Sequence, residues 1–228
     1  MAGEPRPSPD RESTPVCAGG ACCVGNEFGE RAVRRDLAHY REKGPDETTR
    51  WLIDGLAAGG VDGLTVLDIG AGVGAVHLAL LDQGATSALD IDGSPAFVTA
   101  AADEAARRGL ADRVERIVGD FVELADGIEP ADVVALDRVV CCYPHMDRLV
   151  DVSAARARLR YGLVYPRDGA WLRLGGVVFN AVNRLFRQRL RMYIHRTAAV
   201  EAVLANAGFV RRSRRTTLIW QVVIFERA

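Results

Sequence analysis

Val66-Leu67-Asp68-Ile69-Gly70-Ala71-Gly72-Val73-Gly74 begins as a short apolar run, turns through three alternating glycines and gives way to a helical pattern. The next apolar run closes on Asp90-Ile91-Asp92. A strand, a glycine-dense turn and an acidic residue ending the following strand are the parts of a nucleotide-cradling α/β site. Gly70 permits a sharp turn, and Gly72 leaves the backbone open where a Cβ would collide with a ligand. Gly74 starts the helix, whose exposed N–H groups face that ligand.

On both sides of this stretch the chain reads as alternating elements. Strands are expected over 63–68, 86–91, 113–118, 131–136 and 160–165. Helices fall between them over 73–83, 95–109 (Ser94 as cap, Pro95 at the first helical position), 121–126 and 144–158. An amphipathic helix over 169–188 carries Trp171, Leu174, Val178, Val182 and Leu185 at helical spacing. Helix 197–207 then leads into strands 208–213 and 216–225, which lack a crossover between them and so pair antiparallel. The expected fold is α/β: a Rossmann-like, doubly wound, seven-stranded sheet, mostly parallel, with a C-terminal antiparallel hairpin. Upstream, residues 1–26 read as a disordered tail, with four prolines and little to bury. Residues 27–60 read as an N-terminal helical cap, with helices over 28–41 and 46–58, and 61–228 as the catalytic domain.

Composition narrows the class. The 228 residues are 49% hydrophobic and 26% charged, ordinary for a chain with a sizeable core. The N-terminus lacks the apolar segment of a signal peptide, and Arg173 interrupts the most apolar stretch, so a cytoplasmic protein without a transmembrane segment is expected. Cys17, Cys22, Cys23, Cys141 and Cys142 would then stay reduced, and no Cys-x-x-Cys spacing suggests a metal. The net charge of −1 conceals a basic C-terminal region, suited to an anionic substrate, an acidic partner or a membrane surface.

The glycine spacing separates two cofactor classes. In dinucleotide enzymes the third glycine comes later and the turn holds a pyrophosphate. Here Asp68 sits just before the turn, where a carboxylate repels pyrophosphate but can accept a hydrogen bond from an ammonium. The chain resembles class I S-adenosylmethionine (SAM)-dependent methyltransferases from about Leu64 to its C-terminus. That resemblance implies SAM as cofactor, with Asp68, Gly70, Ala71, Gly72 and Gly74 around its methionine part. It implies Asp90 and Ile91 at the ribose, Asp120 and Phe121 at the adenine, and Asp137 and Arg138 between SAM and substrate. Tyr40, before Lys43-Gly44, is a further candidate to close over the cofactor.

A methyl group on a sulfonium is already electrophilic, so the protein must chiefly align a nucleophile and exclude water. Tyr143 and His145 are the candidate catalytic pair, as orienter and general base. Tyr143-Pro144 and Tyr193-Ile194-His195, followed by a helix and Gly208-Phe209, resemble the magnesium-protoporphyrin O-methyltransferases. That subfamily esterifies a carboxylate, which needs no base. Cys142 stands where it carries a histidine, and the spacing from Asp137 is one residue longer. The expected acceptor is a small molecule, an anion being one option, methylated on O, S or C. Cys141 and Cys142 raise the alternative of a thiol or metalloid acceptor. A non-catalytic SAM-binding protein and an NAD-dependent oxidoreductase are the remaining alternatives. No Asn-Pro-Pro-Tyr-like segment follows the fourth strand, so nucleic acid is not expected.

Overall fold

The computed structural model describes residues 30–187 and 190–228. The expected tail at 1–26, with Cys17, Cys22 and Cys23, lies outside the described residues. Helices α1 (Glu30–Lys43) and α2 (Glu47–Ala57) precede strand β1 (Thr65–Ile69). The alternation continues with α3 (Ala75–Asp82), β2 (Ser87–Asp92), α4 (Pro95–Arg107), β3 (Val114–Val118), the single-turn α5 (Phe121–Leu124) and β4 (Ala131–Asp137). Then come α6 (Met146–Ala155), β5 (Ala157–Pro166), α7 (Ala170–Leu185), α8 (Thr197–Asn206), β6 (Phe209–Thr216) and β7 (Trp220–Arg227).

The strands form one seven-stranded sheet in the order β3-β2-β1-β4-β5-β7-β6. β1 to β5 are parallel, and β7 runs antiparallel to both β5 and β6. This is the expected Rossmann-like topology. The strand order reverses between β1 and β4, which opens a crevice at the C-terminal ends of the strands.

Strand alternation sorts the core into two layers. Val66, Ala88, Val133 and Ala135 face the apolar sides of α2, α3 and α4. Leu67, Ile91, Val134, Leu136 and Phe225 face α6 and α8 on the other side. Glycine sets how closely α2 lies on the sheet. A Cβ on Gly162 of β5 would come within 2.5 Å of Leu52 and 2.9 Å of Leu56. α2 therefore packs as part of the helical layer. α1 is fixed to α4 by Val33 against Phe97 and Ala100 and by Arg41 Nε on Glu104 Oε2 at 2.9 Å.

Two expectations shift. Helix 144–158 ends at Ala155, because Ala157 already pairs with Ala131 and opens β5. The periodic stripe of α7 faces solvent: Trp171, Leu174, Val178, Val182 and Leu185 are exposed, whereas Leu172, Gly176 and Asn183 are buried. The inner side is held by amide chemistry. Asn180 donates to Met192 O and accepts from Met192 N, both at 2.8 Å, and Asn183 donates to Leu190 O at 3.0 Å.

Candidate functional site

A cavity of about 640 Å³ occupies the crevice. Its floor and walls come from the ends of four of the five parallel strands: Gly70–Val73 after β1, Asp92-Gly93 ending β2, Gly119–Phe121 after β3 and Asp137–Val139 ending β4. Tyr40, Asp46 and Thr49 close it from the α1–α2 side. The volume lies in the range of small-molecule sites.

The glycines divide the labour. Gly70, Gly72 and Gly74 all have positive φ, of 67°, 59° and 81°. A Cβ at Gly72 would meet nothing within 4 Å, so its backbone is open to the cavity. A Cβ at Gly74 would instead strike the His77 ring at 2.8 Å. Gly74 thus makes room for His77, whose Nδ1 and backbone N lie 2.9 and 3.2 Å from Asp68 Oδ2. Asp68 and Gly74 lie behind the turn and support it without lining the cavity.

The acidic end of β2 corrects a sequence expectation. Asp90 is fully buried and does not line the cavity; it stands level with Asp68 on β1 and Arg116 on β3. Burial, with Asp68 and Asp92 nearby, pushes its carboxyl up to about 8, so the protonated form predominates at neutral pH. Asp92, on the same side of the strand but one pleat nearer its end, lines the cavity. Its Oδ2 accepts from Gly72 N at 3.0 Å and its Oδ1 from Ser94 N at 2.8 Å. Ile91 also lines the cavity. Burial raises the Asp92 carboxyl, and the two backbone N–H groups work against that rise.

After β3, Asp120 caps α5 by accepting from Val122 N at 3.0 Å. The Tyr143 hydroxyl donates to both Asp120 oxygens, at 3.2 and 3.3 Å, which fixes the expected orienter on the expected adenine residue. Ala71 and Phe121 also line the cavity. Tyr40 lines it too, although its hydroxyl is already engaged by Arg108 Nη2 at 2.7 Å. His145 does not join them. It is exposed at the N-terminal boundary of α6 and does not line the cavity.

At the end of β4, Asp137 Oδ2 accepts from Thr49 Oγ1 at 2.5 Å, while its Oδ1 is buried without a hydrogen-bond partner. Burial is the main cause of its raised pKa. Arg138 adopts φ 61°, a strained left-handed conformation for a side chain of this size. Its guanidinium donates to Thr48 Oγ1 at 2.8 Å, pairs with Asp46 at 3.1 Å and stacks 5.4 Å from the Trp220 ring centroid. These contacts tie the start of α2 to the end of β4.

Arg138 and Cys142 also border a second cavity of about 200 Å³, whose other walls are Cys141, Phe179, Leu190, Arg191, Met192 and Trp220. The two thiols lie 3.9 Å apart, and their mutual hydrogen bond holds the Cys142 thiol below its ordinary value. The segment between α7 and α8 is latched beside them. Tyr193 N donates to Cys141 O at 2.7 Å, and His195 Nε2 lies 3.0 Å from Val140 O and 3.1 Å from Tyr143 O. His195 therefore carries its proton on Nε2 and positions the 140–143 turn.

Comparison with known proteins agrees with this geometry. Residues 66–161 match the family model described as a methyltransferase domain. A ribosomal protein L11 methyltransferase of Xanthomonas axonopodis pv. citri is 32% identical over 128 residues, covering 54% of this chain and 40% of its own. That of Enterobacter sp. is 42% identical over 66 residues, 29% of this chain and 21% of its own. The chain thus spans less than half the length of these curated relatives. Among solved structures, a magnesium protoporphyrin IX methyltransferase from Synechocystis PCC 6803 with bound SAH superposes with a TM-score of 0.72 at 22% identity, covering 92% of this chain and all of its own. The shared sheet order, the glycine turn and the domain match converge: residues 66–161 match a methyltransferase domain model, and the chain shares the fold of the SAH-bound methyltransferase.

Proposed function

We propose that the chain transfers a methyl group from SAM to a small-molecule acceptor. The observation that supports this most is the meeting of four strand ends on one cavity, with the Asp92 carboxylate oriented beside the open backbone of Gly72. SAM supplies a methyl group on a sulfonium, already activated for displacement. Asp92 takes the two ribose hydroxyls, since two acceptor oxygens suit a vicinal diol. Asp120, held by Tyr143, accepts from the adenine amino group. Asp137 Oδ1, which accepts no hydrogen bond and has only the Arg138 Nε charge 3.8 Å away, accepts from the amino-acid ammonium, and Asp68 acts through His77 on the shape of the turn.

The smaller cavity takes the acceptor. Phe179, Leu190, Met192 and Trp220 suit an apolar body. An ionised carboxylate is a nucleophile that needs no base, in keeping with a crevice that His145 does not enter. Cys142 borders both cavities, and this supports a second reading in which a thiol or a thiophilic metalloid is the acceptor.

Titration calorimetry with SAM tests the cofactor assignment. Asp92→Ala should weaken binding by about 1.5–3 kcal/mol, because charge-assisted hydrogen bonds are lost. Asp90→Asn should leave affinity within about twofold, as a buried protonated carboxyl makes no contact to lose. The reverse pattern would return the ribose to Asp90. Labelled SAM offered with aromatic carboxylic acids, small thiols and arsenite then separates the acceptor readings. Loss of all transfer in Cys142→Ser, with SAM affinity unchanged, favours the second.

A further inference from the structure

The most exposed apolar surface of the described chain is the outer side of α7. Leu174, Leu185 and, just past the helix, Phe186 are 67, 78 and 70% exposed, with Trp171, Val178 and Val182 on the same side. This orientation is locked. Asn180 and Asn183 bond the opposite side to the backbone at Leu190 and Met192, and a Cβ on the inward Gly176 would meet Ile194 at 3.2 Å. The stripe cannot roll inward without breaking those bonds.

Charge decides between occupants. From Arg167 to Arg196 the sequence carries seven arginines and one acidic residue, Asp168, whose Oδ2 already accepts from Thr197 N at 3.0 Å. Arg173 and Arg184 are exposed about three helical turns apart along one margin of the stripe, and exposed Arg187 follows. A second copy seated on this surface in an isologous dimer would set these arginines against their own kind. An anionic bilayer answers both features: acyl chains take the stripe, and headgroups take the guanidinium groups at its margin. No helix is long and apolar enough to cross a membrane among the described residues. Leu218, 73% exposed in the β6–β7 turn, offers a second apolar foot beside the start of α7, where Arg167 N donates to Ile219 O at 2.8 Å.

We propose that α7 is an interfacial docking helix that lies flat on an anionic lipid surface, its Trp171–Leu185 stripe at the acyl boundary and Arg173, Arg184 and Arg187 among the headgroups. The proposal stands on the surface alone and does not depend on the methyl-transfer reading.

Vesicle co-sedimentation of the full chain tests it, with phosphatidylcholine alone against phosphatidylcholine carrying about one third phosphatidylglycerol. The chain should pellet with the anionic vesicles, hardly with the neutral ones, and less as salt rises. Leu174→Glu with Leu185→Glu should lower vesicle affinity by at least about tenfold while leaving the thermal midpoint unchanged. Arg184→Glu with Arg187→Glu, which leaves the stripe intact, should also lower it by at least about tenfold. Failure of the unaltered chain to pellet with anionic vesicles overturns the proposal, as does undiminished pelleting of both variants. A concentration-dependent dimer in sedimentation equilibrium, abolished by the leucine substitutions, also overturns it in favour of a second copy.

Discussion

α2 and α7 both carry apolar residues at helical spacing, yet they spend them in opposite directions. α2 sets Leu52, Ile53 and Leu56 into the sheet, where Gly162 leaves room for them. α7 turns its stripe to solvent and anchors itself through two asparagines and a glycine. α1, between these extremes, is held to α4 partly by charge, with Glu104 gripped by Arg41, Arg107 and Arg108. Periodicity therefore establishes that a helix has two faces; what the neighbouring element offers decides which face is buried.

The contrast can be broken at its strongest point first. Leu56→Ala should destabilise the protein by about 3 kcal/mol in chemical denaturation, from lost burial plus the cavity left under α2. A cost below about 1 kcal/mol would mean that α2 does not pack as described.

The ionic anchor should show itself through pH. Hydrogen bonds from Arg107 and Arg41 hold Glu104 down at about 2, below its ordinary 4.5. A carboxyl with a depressed folded-state pKa stabilises fully above its unfolded value and loses that contribution as pH falls toward the folded one. The stability gap between the unaltered protein and Glu104→Gln should be about 1–2 kcal/mol at pH 6, discounted because Arg41 and Arg107 are about half exposed. It should close between pH 4.5 and about 2. A gap that is constant across that range would remove the ionic anchor from the comparison.

Asn180→Ala removes two hydrogen bonds to Met192 and should cost about 1–2 kcal/mol, with faster amide exchange at Met192. At the small end, Leu174→Ala on the exposed stripe should change stability by less than about 0.5 kcal/mol in the same denaturation assay. A cost equal to that of Leu56→Ala would show the stripe to be buried in solution.

Much of the fold was legible because each local signal repeated at every strand. The glycine turn, the alternation of strands with helices and the missing crossover before the last strand give the topology and its crevice. The site was legible to the resolution of a strand end and no finer. Asp90 and Asp92 lie on the same side of β2, so a pattern of period two treats them alike; only register with Asp68 and Arg116 shows which one is sunk. His145 was misplaced for a related reason, since its chemistry suits a base while its position at the start of α6 faces water. Thr49 and Asn180 carried no motif at all, because each works through a partner elsewhere in the chain.

Arg138 has a practical consequence for dissecting this molecule. One guanidinium is a shared partition between two chambers and at the same time a brace for the start of α2. Replacing it alters both compartments together, so a phenotype there cannot be apportioned to one reactant. Separate questions need separate handles: Asp92 for the nucleoside side, and Phe179 for the side beyond the partition.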